Sequence, residues 1–236
     1  MAICTRPRGQ ATLKFLPVIL CVALLSACGS GGPPPPDWKT DAADSIERYQ
    51  KHALLGEHTL AERYFQQAIT ASGGAGRVTD TARLWLVHCA TRRAMLIDDP
   101  CADYAELARI EPDAADQAYY LFLILRWDAI DIDLLPKQHR ELVRAPADVR
   151  PSLLAKVDGP LAQLLGASLL VMRQEADAAT LTLATETASS QGWRRPLLTY
   201  LKLQEAQAKS QGNAAQLERL AQRIELIERN FTIGHK

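Results

Sequence analysis

Leu54-Leu55-Gly56-Glu57-His58-Thr59-Leu60-Ala61-Glu62-Arg63-Tyr64-Phe65-Gln66-Gln67-Ala68 decides the fold. Leu60, Ala61, Tyr64, Phe65 and Ala68 recur at the three- and four-residue spacing of one helix face, and Ile46, Tyr49, Ala53 and Leu54 mark a second stripe upstream. Gly56 stands between them and lets the chain leave one helix and reverse. The stretch therefore reads as a helix hairpin. Further along, Gly73-Gly74-Ala75-Gly76 ends the second helix, and Thr79 or Asp80 is expected to cap a third that runs through Trp85 and Cys89 to about Ile97. From Ala114 to Trp127 the chain includes Tyr119, Tyr120, Leu121, Phe122, Leu123, Ile124 and Leu125, apolar on every face, which predicts a helix buried on all sides. Pro136, Pro146 and Pro151 break residues 131–158 into short pieces, a hinge or short-helix connection. Periodicity resumes at Leu161, Leu164, Leu165 and Leu169, continues through Ala178–Ala188, and ends in two long helices between Pro196 and Phe231. Ala, Leu, Glu, Gln and Arg abound and β-branched clusters are scarce, so the class is all-α.

Gly56-Glu57, then Ala61, Phe65 and Ala68, resembles the turn and second helix of a tetratricopeptide repeat, in which small residues admit the paired helix and the aromatic fills the gap between them. The likeness covers about half a repeat. Tyr49 holds a place usually given to a small residue, and Gly73 stands where proline commonly closes the unit. A fainter echo is Gly212-Asn213 followed by Leu217, Ala221 and Ile224. The resemblance implies antiparallel hairpins stacked as a short solenoid, with helical regions at 37–130 and 159–236.

The amino terminus speaks to compartment. Arg6, Arg8 and Lys14 precede an almost wholly apolar run, Phe15–Ala27, which is too short for the roughly 20 residues of a membrane-spanning helix and reads as a secretory signal over residues 1–27. Leu25-Ser26-Ala27-Cys28 resembles the lipobox of bacterial lipoproteins. That resemblance implies cleavage before Cys28, a diacylglyceryl group on its thiol and an acylated new amino terminus. Several acyl chains hold stably where one holds marginally. In enterobacterial lipoproteins an Asp after the lipidated cysteine favours the inner membrane; Gly29 here points to the outer membrane, periplasmic face. Residues 28–36 continue as a Gly/Ser tether and four prolines, an extended spacer of about 12 Å.

The 236 residues are 47% hydrophobic and 23% charged, which excludes disorder, and 27 basic residues match 27 acidic ones. Three of the bases and none of the acids lie in the leader, so the mature chain is mildly acidic, which argues against a nucleic-acid partner. With Cys28 committed to lipid, Cys89 and Cys101 are the pair left in an oxidising periplasm. They form either a bridge, provided the chain turns sharply at Asp98-Asp99-Pro100, or two buried free thiols. A zinc site with His88 lacks the paired close spacings of zinc ligands, so neither metal nor cofactor is expected. There is no HExxH, GxSxG or phosphate-cradling glycine loop ending in Lys-Ser/Thr, and Asp98-Asp99, Asp131 and Asp133 suit helix capping.

Arg92 and Arg93 on the third helix, and Trp193-Arg194-Arg195 at the start of a later one, are candidate binding anchors, since exposed Trp and Arg are enriched at interfaces. A packed Trp on a solvated helix face is the alternative. The expectation is a non-catalytic scaffold that holds a protein or peptide of the cell envelope. Its rivals are an envelope enzyme, such as a peptidoglycan-active hydrolase with a carboxylate pair, and a structural lipoprotein self-associating through Leu217, Leu220, Ala221, Ile224 and Ile227.

Overall fold

The computed structural model describes residues 34–233, with side chains through Asn230. The signal, Cys28 and the Gly/Ser part of the tether lie outside the described residues. By internal contacts the chain divides into residues 1–36 and 37–236, and every described helix belongs to the second unit. The α-helices are α1 Asp37–Leu55, α2 His58–Gly74, α3 Val78–Ala94, α4 Ala102–Leu107, α5 Ala114–Leu123, α6 Lys137–Arg144, α7 Arg150–Leu153, α8 Pro160–Met172, α9 Ala178–Ser190, α10 Arg194–Ser210 and α11 Ala214–Ile233. Short 3-10 turns at Trp127–Ala129, Ile132–Leu134 and Leu154–Lys156 fill the middle. Among the described residues no helix is long and apolar enough to cross a membrane.

Most of the long helices stop in one way. At Gly56, Gly76, Gly192 and Gly212 the chain takes a positive φ, and the following amide donates back into the last helical turn, as Glu57 N–H does to the His52 carbonyl and Trp193 N–H to the Ala188 carbonyl. Glycine enters that left-handed conformation without strain. The same closure ends α3, α5 and α8, but the left-handed residues there are Leu96, Leu125 and Gln174, with Ile97, Arg126 and Glu175 donating back to Arg92, Leu121 and Leu170. This is why α3 stops at Ala94 and α5 at Leu123, short of the expected ends.

The helix starts vary. Asp113 accepts the Asp116 amide at the start of α5, and Asp177 with Thr180 makes a reciprocal cap on α9. α3 starts at Val78, before the expected caps. Thr79 instead gives its amide (3.3 Å) and hydroxyl (2.7 Å) to the Glu111 carboxylate, and Asp80 pairs with Arg77 at 2.8 Å. A carboxylate distant in sequence thus satisfies a helix terminus that local residues were expected to satisfy.

Packing is largely sequential: α1 on α2, α2 on α3, α8 on α9, α9 on α10 and α10 on α11. α3 also packs on α4, α5 and α8, and α10 returns to α1. The helix buried on all sides is α8, whose residues Leu164–Leu170 are all buried; α5 was expected to be, yet it buries only Ala118, Phe122 and Leu123 and leaves Tyr119, Tyr120 and Leu121 half-exposed. Gly166 is what lets α8 sit so deep. A Cβ there would meet Leu154 Cδ2 at 2.9 Å and Leu142 Cδ2 at 3.2 Å. The proline-broken segment is itself core, with Leu135, Leu142 and Leu154 buried. On α11, Leu220 and Ile224 are buried while Ala221 is exposed, so the buried part of that stripe is spent inside the chain.

Candidate functional site

The residues of the opening hairpin do what their sizes predict. Gly56 has φ +83°. Ala61 and Ala68 are buried, and Phe65 is 1% exposed; its ring meets Trp85 edge-on at 4.7 Å, His88 at 4.3 Å and Tyr49 at 5.2 Å. Burial of the ring contributes about 2–3 kcal/mol. Burial, reinforced by the nearby charge of Arg92, lowers the pKa of His88. This aromatic set is packing rather than chemistry.

Cys89 and Cys101 are joined by a disulfide, with their Cα atoms 5.5 Å apart. Asp99 organises the turn between them: one carboxylate oxygen accepts the Cys101 amide at 2.8 Å and the other accepts Arg92 Nε at 2.6 Å. Ligand atoms of Cys89, Asp99 and Cys101 lie within 4.8 Å of one another, but the two sulfurs are bonded to each other and offer no thiolate pair to an ion.

The candidate binding cations are mostly tied down. Arg92 is held by Asp99. Arg93 is 5% exposed, donates to Met172 Sδ at 3.0 Å and pairs with Asp98 at 3.1 Å, so it offers nothing to a groove. Burial lowers its pKa, although Asp98 and Asp99 oppose that. Trp193 is half-buried just before α10, and Arg194 donates to Glu57 at 3.3 Å, joining the first turn to α10. His52 also engages Glu57. Arg195 is exposed.

A second polar cluster has no motif in the sequence. Trp127 stacks on Phe122 at 5.4 Å, and the guanidinium carbons of Arg150 and Arg173 lie 4.8 and 4.4 Å from the Trp127 ring centroid. Both arginines pair with Glu175, at 2.7 and 2.8 Å, and they donate to the carbonyls of Leu142 and Leu125. Burial alone would raise the Glu175 pKa, but the hydrogen bonds and charges of Arg173 and Arg150 outweigh it and hold the carboxyl below its usual range. The cluster locks α5, α6, α7 and α8 together. Its groups are satisfied by one another and leave little for a ligand.

Several concavities open among the described residues. A wide cleft of about 680 Å³ between α1 and α2 is lined by Asp41, Asp44, Arg48, Arg63, Gln66 and Thr70, among others, and is solvent-washed. A smaller pocket of about 250 Å³ lies where five helices converge. Its wall is Val87 and Ala90 of α3 with Leu161, Ala162 and Leu165 of α8, and its polar groups are Gln50 of α1, Tyr119 of α5, and Gln138 and His139 of α6. No lining residue carries a formal charge at neutral pH. His139 is 2% exposed and its Nδ1 has no hydrogen-bond partner; burial pushes its pKa down to about 4, so the imidazole is neutral at pH 7. The pocket can hold an uncharged group and hydrogen-bond it.

None of these residues is expected from the sequence to form a site; Tyr119, Leu161 and Leu165 read there only as members of apolar stripes. The available signal was the stripe Leu135, His139, Leu142 and Val143, whose spacing buries one face of α6 and takes the histidine inward with it. Carboxylates do not meet in the pocket. Asp116 has its pKa raised by burial, yet it belongs to the α5 start and accepts Arg83 Nε at 2.8 Å. Comparison of the chain with family models, with curated proteins and with solved structures gives no match.

Proposed function

We propose that this chain is an outer-membrane lipoprotein, held at the periplasmic face by acyl chains on Cys28, whose helical domain binds a protein or peptide partner and breaks no bond. In this reading the helices are tetratricopeptide-like hairpins, and the binding surface is the inner side on which α1, α3 and α8 converge. The observation that carries it is the pocket, lined by five helices between α1 and α8 and free of formal charge. Such a lining suits recognition better than acid–base chemistry, which needs a titrating group poised near the working pH. Because α10 packs back on α1, the domain accommodates a short segment or a single side chain rather than a long wrapped peptide. The lipid keeps it at the membrane and raises its effective concentration there.

Two experiments test the reading. Crosslinking of the lipidated protein in cells is expected to recover one envelope protein reproducibly, and recovery of none overturns the adaptor role. Cys28→Ala is expected to move the protein out of the membrane fraction. Continued tight attachment overturns the lipid anchor.

A further inference from the structure

We propose that the domain meets the lipid surface to which it is tethered through one rim, built from Trp38, the α2–α3 turn and Ile110. Contacts bring these pieces together. The Arg77 guanidinium carbon lies 5.6 Å from the Trp38 ring centroid, Glu111 accepts the amide and hydroxyl of Thr79, and Gly76, Arg77 and Glu111 line one hollow of about 90 Å³. Ile110 precedes Glu111 in the turn after α4 and is 66% exposed, the most exposed large hydrophobic residue among those described. Trp38 is half-exposed, and Gly73, Gly74, Ala75 and Gly76 are exposed and carry no polar side chain. Trp is enriched at membrane interfaces, where its ring lies at headgroup level. Arg beside it can lay its stem on apolar surface and keep its charge in water.

The length of the tether names the occupant. Nine peptide steps lead from Cys28 to Asp37 at the start of α1, so a fully extended tether spans about 30 Å. The first turn of α1, with Trp38, stays within that reach of the lipid, whereas the far end of this 19-residue helix can stand about 28 Å further away. Charge does not select the surface. In these turns Lys39, Arg77 and Arg109 stand against Asp37, Asp80 and Glu111, so the contact is apolar and aromatic and needs no anionic lipid. Two side chains alone would hold a bilayer weakly, but a tether raises their effective concentration at it. With this rim down, the Glu57 end of the first hairpin faces away from the membrane. The contact rests on the Cys28 anchor proposed above and adds to it the face by which the domain meets the bilayer.

The test uses the full lipidated protein in phosphatidylcholine vesicles, with and without bromine on the acyl chains. Bromolipid is expected to quench the Trp38 emission, read as the difference between wild type and Trp38→Phe. Ile110→Asp is expected to remove most of that quenching, because it places a charge where the apolar chain enters. Leu226→Asp, at an exposed position of α11, leaves it unchanged, as does salt at about 1 M, which screens charges beyond about 3 Å. Trp38 emission that bromolipid does not quench, quenching indifferent to Ile110→Asp, or quenching lost in salt overturns the proposal. Shielding of Trp38 from aqueous iodide without bromolipid quenching also overturns it and assigns the rim to a protein. Intact mass separates these outcomes from failure of the anchor: an unacylated Cys28 overturns both, whereas an acylated Cys28 with unquenched Trp38 overturns the rim contact and leaves the anchor standing.

Discussion

The first hairpin and the middle of the domain, residues 96–158, solve the same packing problem by opposite means. α1 and α2 are long, meet through alanines and one phenylalanine, and turn at a glycine that takes its left-handed φ without cost. The middle uses short helices and 3-10 turns, reverses at Leu96 and Leu125, and is held by Trp127, Arg150 and, from beyond the segment, Arg173 and Glu175. A left-handed non-glycine residue costs about 1 kcal/mol. Burial of Leu135, Leu142 and Leu154 and the saturated arginine cluster offset that cost. The lesson is that local sequence can place a hairpin's helices and its turn, whereas an irregular connection is placed by side chains from far along the chain.

The largest effect should come from removing the centre of the cluster. Trp127→Ala is expected to cost about 3–5 kcal/mol in urea unfolding, as much as Phe65→Ala costs the hairpin. A loss below about 1 kcal/mol would show that the middle does not depend on its distant ties. Next comes the disulfide, which pins α3 to α4: Cys89→Ala with Cys101→Ala should lower stability by about 2–3 kcal/mol, and an unchanged unfolding midpoint would show the turn to be held by Asp99 alone.

Smaller again, Glu175→Gln strips the countercharge from two half-buried guanidiniums and should cost about 2 kcal/mol at pH 7, between the surface and the fully buried case. Its pH dependence is a sharper check. The folded-state pKa of Glu175 lies below its ordinary value, so the carboxylate's contribution is complete above the unfolded pKa of about 4.3 and is lost as pH falls through the folded value. The gap between wild type and variant should therefore close in acid. A gap independent of pH would show that the contact acts by packing. The smallest change reverses sign. Gln174→Gly, at an exposed position with φ +60°, should stabilise by about 1 kcal/mol, whereas Gly56→Ala should destabilise by a similar amount, and stabilisation by both would break the comparison.

The same contrast explains how far the sequence could be read. Gly56 and Gly76 announce helix ends, and the expected ends near them agree with the structure to within a residue or two. Leu96 and Leu125 announce nothing, so α3 and α5 end earlier than their apolar patterns suggest. Arg93 read as a groove residue because Arg92-Arg93 is a conspicuous basic pair, yet helical geometry sends neighbouring side chains to different faces, and one of the two is buried against Met172. The pocket was hidden for the same reason: Gln50, Tyr119 and His139 share no spacing, only a place.

Composition and period by themselves determined an all-helical domain and the position of the first hairpin, because these follow from 3.6-residue periodicity and from the freedom of glycine. Only the tertiary structure decided that α8 is the helix buried on every side, that Glu111 completes the start of α3, that α10 returns to α1, and that a neutral histidine is left without a partner beside an uncharged pocket. Those outcomes depend on which faces meet across many intervening residues, and a local pattern carries no record of that.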